Sequence, residues 1–402
     1  MEKRLFIADA DDALHRLVSE AKQYDIVYID PPYDTNSKLS YNDSRDDWDD
    51  FMRRKLLLTR DLMRDDAILY VSIDDNRLID LCVLCDEIFG RKNRVAIMIT
   101  HQAQRSNARL VNVVHEYVVV YAKDTKKTRR LGMPRVDEPH GQELRDMQTA
   151  VTAEMTQHGK DAAMAKLTAL KREYIDRHKD ETWIRNYRML DDDGTIVFPK
   201  DLSVPGSPSP RDVTYADRTK VLHLDPLPTR AWSSEDKLRS LMDDGRIVFL
   251  DGRPYEKQAL LDSVDAAYSI LPYYSRQGTE DLKRLGLNGL FDTPKPVALV
   301  KHLIDMSISG RQHVDVLDYF CGSGTTMQAV MELEEGNPNL DIGCDCVQID
   351  EPMRKGTTPY RTAERLGIQP RIPCATQLRL DTYLRQTAGT HARKETYEVV
   401  RI

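Results

Sequence analysis

The chain has 402 residues, of which 41% are hydrophobic and 31% charged, a balance typical of a soluble globular protein. Its formal net charge of −7 argues weakly against a nucleic-acid partner, although net charge says little about local basic patches. No apolar stretch approaches the roughly 20 residues of a membrane span, and the first residues lack the apolar core of a signal peptide. Six scattered cysteines are typical of a reducing compartment, so we expect a cytoplasmic protein without membrane contact.

The first 124 residues alternate between strand and helix patterns. Apolar runs predict strands at 5–8, 26–29, 67–73 and 117–121. Periodic segments between them predict helices at 11–21, 48–63 and 78–89. Strands that alternate with helices of this length favour a parallel sheet.

The middle of the chain, 125–286, has a different pattern. A long polar stretch at 142–179 predicts a helix without a strong apolar stripe, and turn-rich segments with short β-like runs follow it. Aromatic and basic side chains that alternate in this way suit nucleic acid, although the same aromatics also build small local cores. We expect the exposed set to include Trp183, Arg185, Tyr187, Arg188, Trp232, Tyr255, Tyr273, Tyr274 and Arg276. A basic run precedes them and contains Lys126, Lys127, Arg129 and Arg130, a pattern equally typical of a solvated surface.

From residue 287 the α/β pattern returns. Helices are predicted at 296–308 and 325–334, and strands at 314–319 and 341–349. Cys344 and Cys346 alternate in the last strand, and Cys82 and Cys85 lie in the predicted helix 78–89. Neither pair is followed by cysteines or histidines at zinc spacing, so we expect no metal.

The tetrapeptide Asp30-Pro31-Pro32-Tyr33 directly follows the apolar run 24–29. Each proline lacks an N–H and has a fixed φ, and the residue before each proline is pushed toward an extended conformation. The Asp30 carboxylate and the Pro31 carbonyl are therefore two rigid acceptors, with the Tyr33 ring beside them. Such a set can grip a planar group that carries an NH₂, for example the amino edge of adenine.

A glycine loop follows the strand 314–319 and opens the next helix, with the sequence Phe320-Cys321-Gly322-Ser323-Gly324-Thr325. Glycines let the backbone approach a ligand closely, and a helix N-terminus offers donors to an anion. The loop is neither a dinucleotide fingerprint, because Met327 replaces the third glycine, nor a P-loop. It predicts a doubly wound sheet with a ligand at the carboxyl ends of its strands.

Acidic and amide side chains end other strands of the predicted sheet. Gln348 and Asp350 follow the strand after the glycine loop, and either could bind the hydroxyls of a ribose. Asp9 ends the first strand and could accept from an amino group of an adenine. A surface position at a strand end is the equally good alternative for each of these residues.

The order of these motifs resembles that of the β-class amino-methyltransferases of DNA, in which the catalytic motif precedes the cofactor motif and a target-recognition region lies between. Further segments resemble the modification (Mod) subunits of type III restriction–modification systems. These segments are Tyr41-Asn42-Asp43, Ser72-Ile73-Asp74-Asp75-Asn76, Leu84-Cys85-Asp86-Glu87-Ile88-Phe89-Gly90, His115-Glu116-Tyr117, Phe291-Asp292-Thr293-Pro294-Lys295-Pro296 and Val347-Gln348-Ile349-Asp350-Glu351-Pro352.

The resemblance implies a Rossmann-like doubly wound methyltransferase sheet with a circularly permuted motif order. A catalytic half at 1–124 and a cofactor-binding half at 287–402 would flank an α+β target-recognition insert at 125–286. The partner would be double-stranded DNA. A homodimer or monomer, and a restriction subunit or a solitary role, all stay open.

The resemblance also implies S-adenosylmethionine as cofactor and adenine N6 as the methyl acceptor. Asp30 and the Pro31 carbonyl would accept hydrogen bonds from N6 of a flipped base, with Tyr33 stacked on its ring. Lys295 would meet the methionine carboxylate. The other cofactor residues expected along the loop are Asp318, Phe320, Gly322, Gly324 and Thr325.

Two other functions fit the same motifs. Methylation of cytosine N4 uses the same amino chemistry, but those enzymes more often carry Ser where Asp30 stands. A catalytically silent DNA-binding subunit is the alternative from another class, and the intact Asp30 and Gly322–Gly324 loop argue against it. RNA stays open as a substrate, although the Mod-like segments favour DNA.

Overall fold

The computed structural model describes residues 1–35, 39–43, 47–102, 110–137, 140–214, 221–250, 252–308, 310–388 and 396–402. The chain divides into two compact units. The larger unit contains Met1–Gly132 and Ala266–Ile402, and the smaller contains Met133–Asp265. Both unit boundaries therefore fall inside the range 125–286 that we expect to be an insert.

The first part of the larger unit has the predicted alternation of strands and helices. Its elements are β1 (Lys3–Ile7), α1 (Ala10–Ser19), β2 (Tyr24–Ile29), α2 (Trp48–Leu62), β3 (Met63–Ile73), α3 (Leu78–Cys85), β4 (Arg94–His101) and β5 (His115–Ala122). Every residue of β1 and β2 is buried, and most of these residues are apolar, although Lys3, Arg4 and Asp25 are buried with them. Asp9 ends the first loop and caps α1, because its side chain accepts from the Asp11 backbone N–H.

The described residues of the smaller unit form short strands and three α-helices. Its elements are β6 (Gly132–Pro134), α4 (Gly141–His158), α5 (Lys160–Arg177), β7 (Met189–Leu190), β8 (Ile196–Asp201), β9 (Ser203–Val204), β10 (Arg211–Thr214), β11 (Val221–Leu224), β12 (Ala231–Trp232), α6 (Glu235–Asp243), β13 (Ile247–Leu250), β14 (Arg253–Ala259) and β15 (Val264–Ala266). The single helix predicted at 142–179 is wrong, because Gly159 adopts a φ of +84° and separates α4 from α5. Each half buries only a few side chains, such as Val151 and Leu167, so no apolar stripe stands out in the sequence.

The larger unit continues after the second boundary. Its remaining elements are β16 (Ile270–Tyr274), α7 (Arg276–Arg284), α8 (Val297–Ile308), β17 (His313–Asp318), α9 (Thr325–Gly336), β18 (Asp341–Gln348), α10 (Thr358–Arg365), α11 (Ile372–Gln386) and β19 (Glu398–Arg401). The four elements predicted between 296 and 349 are all present.

One nine-stranded sheet forms the centre of the larger unit, in the order β16-β4-β5-β3-β2-β17-β18-β1-β19. Most neighbours are parallel, as predicted, but β5 is antiparallel to both β3 and β4. The predicted parallel arrangement is therefore wrong for the strand at 117–121, which runs antiparallel to both of its neighbours. Apolar runs alone cannot reveal strand direction.

Helices cover both faces of this sheet. The face that presents Val27 and Leu69 packs against α1, α2 and α3 in one buried cluster. On the opposite face the Tyr70 hydroxyl lies 2.6 Å from Ser307 Oγ of α8. The sheet is thus doubly wound, as predicted.

The strands β2 and β17 pair in parallel at the middle of the sheet. From this pair the sheet continues through β18 and β1 on one side and through β3 on the other. In doubly wound sheets ligands bind beyond the carboxyl ends of the strands at such a switch point. Asp30 follows β2 and Tyr319 follows β17, so both predicted motifs emerge at this place. Within the part of the chain that the structure describes, no helix is long and apolar enough to cross a membrane.

Candidate active site

The Asp-Pro-Pro-Tyr segment borders a cavity of about 470 Å³ in the larger unit. Two contacts fix its backbone: Trp48 Nε1 donates to the Pro32 carbonyl at 2.7 Å, and the Tyr33 N–H donates to Asp43 Oδ1 at 2.9 Å. The Asp30 side chain is 26% exposed, and it lines the cavity. The strand end and these two contacts together hold the carboxylate in one place.

A buried cluster of charges surrounds the Asp30 carboxylate. Lys295 Nζ lies 3.3 Å from Asp30 Oδ1 and 2.8 Å from Glu116 Oε2, and it donates to the Tyr33 hydroxyl at 2.6 Å. Gln102 Nε2 donates to the other Glu116 oxygen at 2.5 Å. Among the described residues no donor meets hydrogen-bond geometry at Asp30 Oδ1, and its contact there is the ion pair with Lys295 Nζ. The cluster thus contains two carboxylates that share one ammonium, and one of the carboxylates, Asp30, borders the cavity.

The electrostatics of this cluster set its protonation. Burial raises the pKa of Asp30 above its usual range; Lys295 opposes the rise and Glu116 adds to it. Burial disfavours the Lys295 ammonium, but Asp30 and Glu116 together hold its pKa well above the usual value. The pKa of Glu116 is lowered, because Lys295 outweighs the effect of burial. Lys295 is therefore charged, and Asp30 is the carboxylate that acid protonates first.

The glycine loop forms another part of the cavity wall. Gly322 and Gly324 have φ values of +50° and +83°, in the region that disfavours side chains. A Cβ on Gly322 would lie 3.4 Å from the Phe291 ring, and one on Gly324 would lie 3.1 Å from Thr376 Cγ2. Phe320 and Gly322 line the cavity.

Three of the predicted loop residues lie behind the cavity wall. Asp318 is buried, and its carboxylate accepts from the Phe320 N–H at 3.0 Å and from Thr326 Oγ1 at 2.5 Å. Burial raises the pKa of Asp318 to about 7. Gly324 and Thr325 are not in the cavity lining either, and Thr325 Oγ1 donates to the Lys295 carbonyl at 3.1 Å. These residues shape the loop.

Of the polar residues predicted at the other strand ends, some line the cavity and one does not. Asp9 and Gln348 line the cavity. Asp350 does not, and its carboxylate binds the Arg371 guanidinium at 2.6 Å instead. Glu351, which the sequence did not single out, lines the cavity and accepts from the Asn42 N–H at 2.7 Å. Of the two candidates for a ribose contact, Gln348 is the one that faces the cavity.

The sequence did not predict several of the residues that line the cavity. Glu116 stands in the segment His115-Glu116-Tyr117, and only its resemblance to Mod subunits drew attention to it. Tyr41 and Phe291 stack with ring centroids 5.6 Å apart and both border the cavity. Lys55 is buried beside the cavity, with Nζ 3.9 Å from the Phe51 ring centroid. A charged residue in an amphipathic helix gives no sign that it faces inward, so Lys55 could not be predicted.

The residues predicted to bind DNA belong to different units. Lys126, Lys127, Arg129 and Arg130 lie in the larger unit after β5, and Lys127 pairs with Asp65 at 2.6 Å. In the smaller unit Arg185 and Arg188 are exposed.

The aromatic side chains of the smaller unit are less accessible than predicted. Tyr187 and Trp232 are buried, so the prediction that they are exposed is wrong. Trp183 is half-buried, and Arg135 Cζ lies 4.0 Å from the centroid of the Trp183 ring. Tyr187 and Trp232 each pack into one of two local cores that consist mainly of aliphatic side chains.

One group with potential metal ligands occurs in the described part of the chain, in the smaller unit. His140, Glu143 and His178 offer ligand atoms within 4.8 Å of one another. The centroids of the two imidazole rings lie 3.8 Å apart with the rings tilted by 36°, and Arg177 Nη1 lies 2.6 Å from Glu143 Oε2.

The sequence of the chain matches the N6_N4_Mtase family, described as DNA methylase, over residues 24–347. The chain belongs to this family of DNA methylases. It is 26% identical over 384 residues to the Mod subunit of the type III restriction-modification enzyme EcoP15I of Escherichia coli, covering 85% of this chain and 57% of that protein. It is also 26% identical over 400 residues to the EcoPI Mod subunit of Escherichia phage P1, covering 87% and 58%. These matches confirm the resemblance to Mod subunits.

A further relative of this DNA methylase is the type II methyltransferase M.KpnI of Klebsiella pneumoniae. It is 24% identical over 373 residues, which cover 86% of this chain and 79% of the relative. The DNA methylase spans less than three fifths of the length of the two Mod subunits.

Proposed function

We propose that this DNA methylase transfers a methyl group from S-adenosylmethionine to N6 of an adenine in double-stranded DNA. One observation carries the proposal: the Asp30 carboxylate lies in the wall of the cavity that the glycine loop also lines, and its buried Oδ1 has an ion pair with Lys295 at 3.3 Å but no contact of hydrogen-bond geometry among the described residues. A buried carboxylate oxygen gains from a well-placed hydrogen-bond donor, which a ligand in the cavity can supply. An exocyclic amino group is such a donor.

The cavity fits the proposed cofactor. Its volume of about 470 Å³ lies within the range of small-molecule sites, and the left-handed conformations of Gly322 and Gly324 let the backbone approach a ligand closely. Asp9 and Gln348 place polar groups for an adenosine moiety. When bound, S-adenosylmethionine supplies a methyl group on a positively charged sulfur.

The residues of the chain would then position the amino group that attacks. Asp30 and the Pro31 carbonyl accept its two hydrogens, which draws the nitrogen lone pair out of conjugation with the ring. Lys295 fixes Asp30 and the Tyr33 hydroxyl in their places. The nitrogen loses one proton when it gains the methyl group, and Asp30 is the buried base beside it. Such positioning supplies much of the rate in a direct displacement.

The base must leave the duplex to reach a buried acceptor. We assign target recognition to the smaller unit, where Arg185 and Arg188 are exposed for phosphate or base contacts. A basic run that contains Lys126 and Lys127 adds phosphate contacts from the larger unit. The names of the relatives support a role in restriction and modification, with a restriction subunit as a candidate partner.

The test is nucleoside analysis of DNA methylated by the purified chain. We expect N6-methyladenine as the product, and Asp30→Asn should abolish it while S-adenosylmethionine still binds. Asp61→Asn, at an exposed position in α2, is the matched control and should keep activity. N4-methylcytosine as the product would refute adenine as the target, and unchanged activity of the Asp30 variant would refute the mechanism.

A further inference from the structure

A fully buried guanidinium supports the glycine loop from the side of α11. Arg379 has no exposed surface. Its Nη1 donates to Ser323 Oγ at 2.6 Å and to Thr325 Oγ1 at 2.9 Å, and its Nε donates to Gln328 Oε1 at 2.9 Å. These acceptors belong to the loop and to the first turn of α9, so the charge lies directly behind the residues that open this helix.

The charge of this guanidinium is not compensated locally. These acceptors, and the Ser323 carbonyl that accepts from Nη1 at 3.5 Å, are all neutral. Within the described ranges Nη2 has no hydrogen-bond partner and no carboxylate lies within 4.0 Å of Arg379. Asp281 and Glu332 act on it from farther away, and each already accepts a hydrogen bond from another group. Burial lowers the pKa of Arg379 to about 10, so it stays charged at neutral pH. A buried charge without a counter-ion is unfavourable unless an anion is bound nearby.

The first turn of α9 adds to this positive potential. Helix N-termini carry about half a positive charge, and here the guanidinium lies beside one. Gly322 belongs to the same loop and lines the cavity. Lys295, in contrast, is already flanked by two carboxylates, so an anion that approached it would meet excess negative charge.

We propose that Arg379 supplies, through the glycine loop, the positive charge that attracts the carboxylate of the cofactor's methionine moiety. Lys295 instead forms the ion pair with Asp30. The inference rests on the proposed use of S-adenosylmethionine. Because Arg379 has no surface in the cavity, it is a positioning residue that acts through the loop and not a direct ligand.

The test compares two ligands that differ only in this carboxylate, S-adenosylmethionine and its decarboxylated form, by isothermal titration calorimetry. We expect Arg379→Met to weaken binding of S-adenosylmethionine severalfold: a unit charge at an effective dielectric of about 20 is worth about tenfold out to about 12 Å, and the neighbouring α-ammonium offsets part of this. The decarboxylated form keeps the ammonium and lacks the carboxylate, so its binding should stay unchanged or become tighter. Arg385→Met, at an exposed position of the same helix, should change neither affinity.

A paired exchange tests the same idea without removing the guanidinium. Gln328 Nε2 donates to Glu332 Oε1 at 3.0 Å, and Gln328 Oε1 accepts from Arg379. Gln328→Glu together with Glu332→Gln keeps the net charge and moves a carboxylate onto Arg379 Nε. This double variant should lose affinity for S-adenosylmethionine selectively, as Arg379→Met does. It also keeps the test informative if Arg379→Met fails to fold.

The outcomes separate the two proposals. If the unaltered chain binds neither ligand, the proposed function fails. If the unaltered chain binds S-adenosylmethionine and the variants weaken both ligands equally, or weaken neither, the role of Arg379 is wrong and the proposed function stands. Selective loss of the carboxylate-bearing ligand supports the inference.

Discussion

Glu116 offers the sharpest test of the charge cluster, because it tunes Asp30 without belonging to the catalytic motif. Burial and Glu116 both raise the pKa of Asp30, and Lys295 lowers it. Replacing Glu116 by Gln removes one negative charge and leaves Lys295 to pair with Asp30 alone. Both effects favour the ionised form of Asp30, so its pKa should fall.

The structure sets the size of this shift. The oxygens of Asp30 and Glu116 flank one Nζ at 3.3 and 2.8 Å, so they are at most about 6 Å apart. Coulomb's law gives about 2 pKa units at that distance for a dielectric of about 20, and about 0.5 unit for water. Because Asp30 is partly exposed to the cavity, we expect a shift of about 1 unit.

The assay is the pH dependence of kcat/KM for methyl transfer to a DNA duplex, with saturating cofactor. Activity needs ionised Asp30, so the acid limb of the profile should report its pKa. Glu116→Gln should move this limb to lower pH, whereas Glu116→Asp, which keeps the charge, should leave it in place. An acid limb that stays fixed or moves to higher pH in Glu116→Gln would refute the arrangement.

Three further predictions follow from the same geometry. Lys295→Met removes the only cation of the described cluster, so the acid limb should move to higher pH and kcat/KM at neutral pH should fall about tenfold or more. Gly324→Ala should lower the free energy of unfolding by about 1–2 kcal/mol, because its φ is left-handed, whereas Gly336→Ala in the same helix should not; thermal unfolding compares the two. Gln348→Ala should weaken cofactor binding about tenfold, and Asp350→Ala less than about twofold, as measured by calorimetry; equal effects would contradict the assignment of Gln348 to the cavity wall.

The proposed roles of Lys295 and Arg379 assign a separate cation to each of the two carboxylates, Asp30 and that of the cofactor. A catalytic carboxylate in a dry cavity needs a nearby cation, or it becomes protonated. A cofactor carboxylate bound in the same cavity needs a second cation, because Asp30 and Glu116 already neutralise the Lys295 ammonium. Two separate cations, one beside β2 and one behind α9, would meet both needs.

Sequence alone determined the features that depend on local backbone chemistry. The apolar runs predicted the central strands, because strands buried on both faces tolerate few polar residues. The two prolines made Asp30 a fixed acceptor, and the glycines of the loop marked a close approach of backbone and ligand. These properties belong to a few consecutive residues, so no tertiary structure was needed to recognise them.

Only the tertiary structure decided which distant side chains share the site. Lys295 and Glu116 are 179 positions apart and meet at Asp30 because strand pairing and the start of α8 bring them there. The antiparallel direction of β5, the burial of Tyr187 and the placement of Arg379 likewise depend on packing between elements far apart in the chain. Periodicity shows which face of an element is apolar, but it does not show which partner covers that face or which charges meet there.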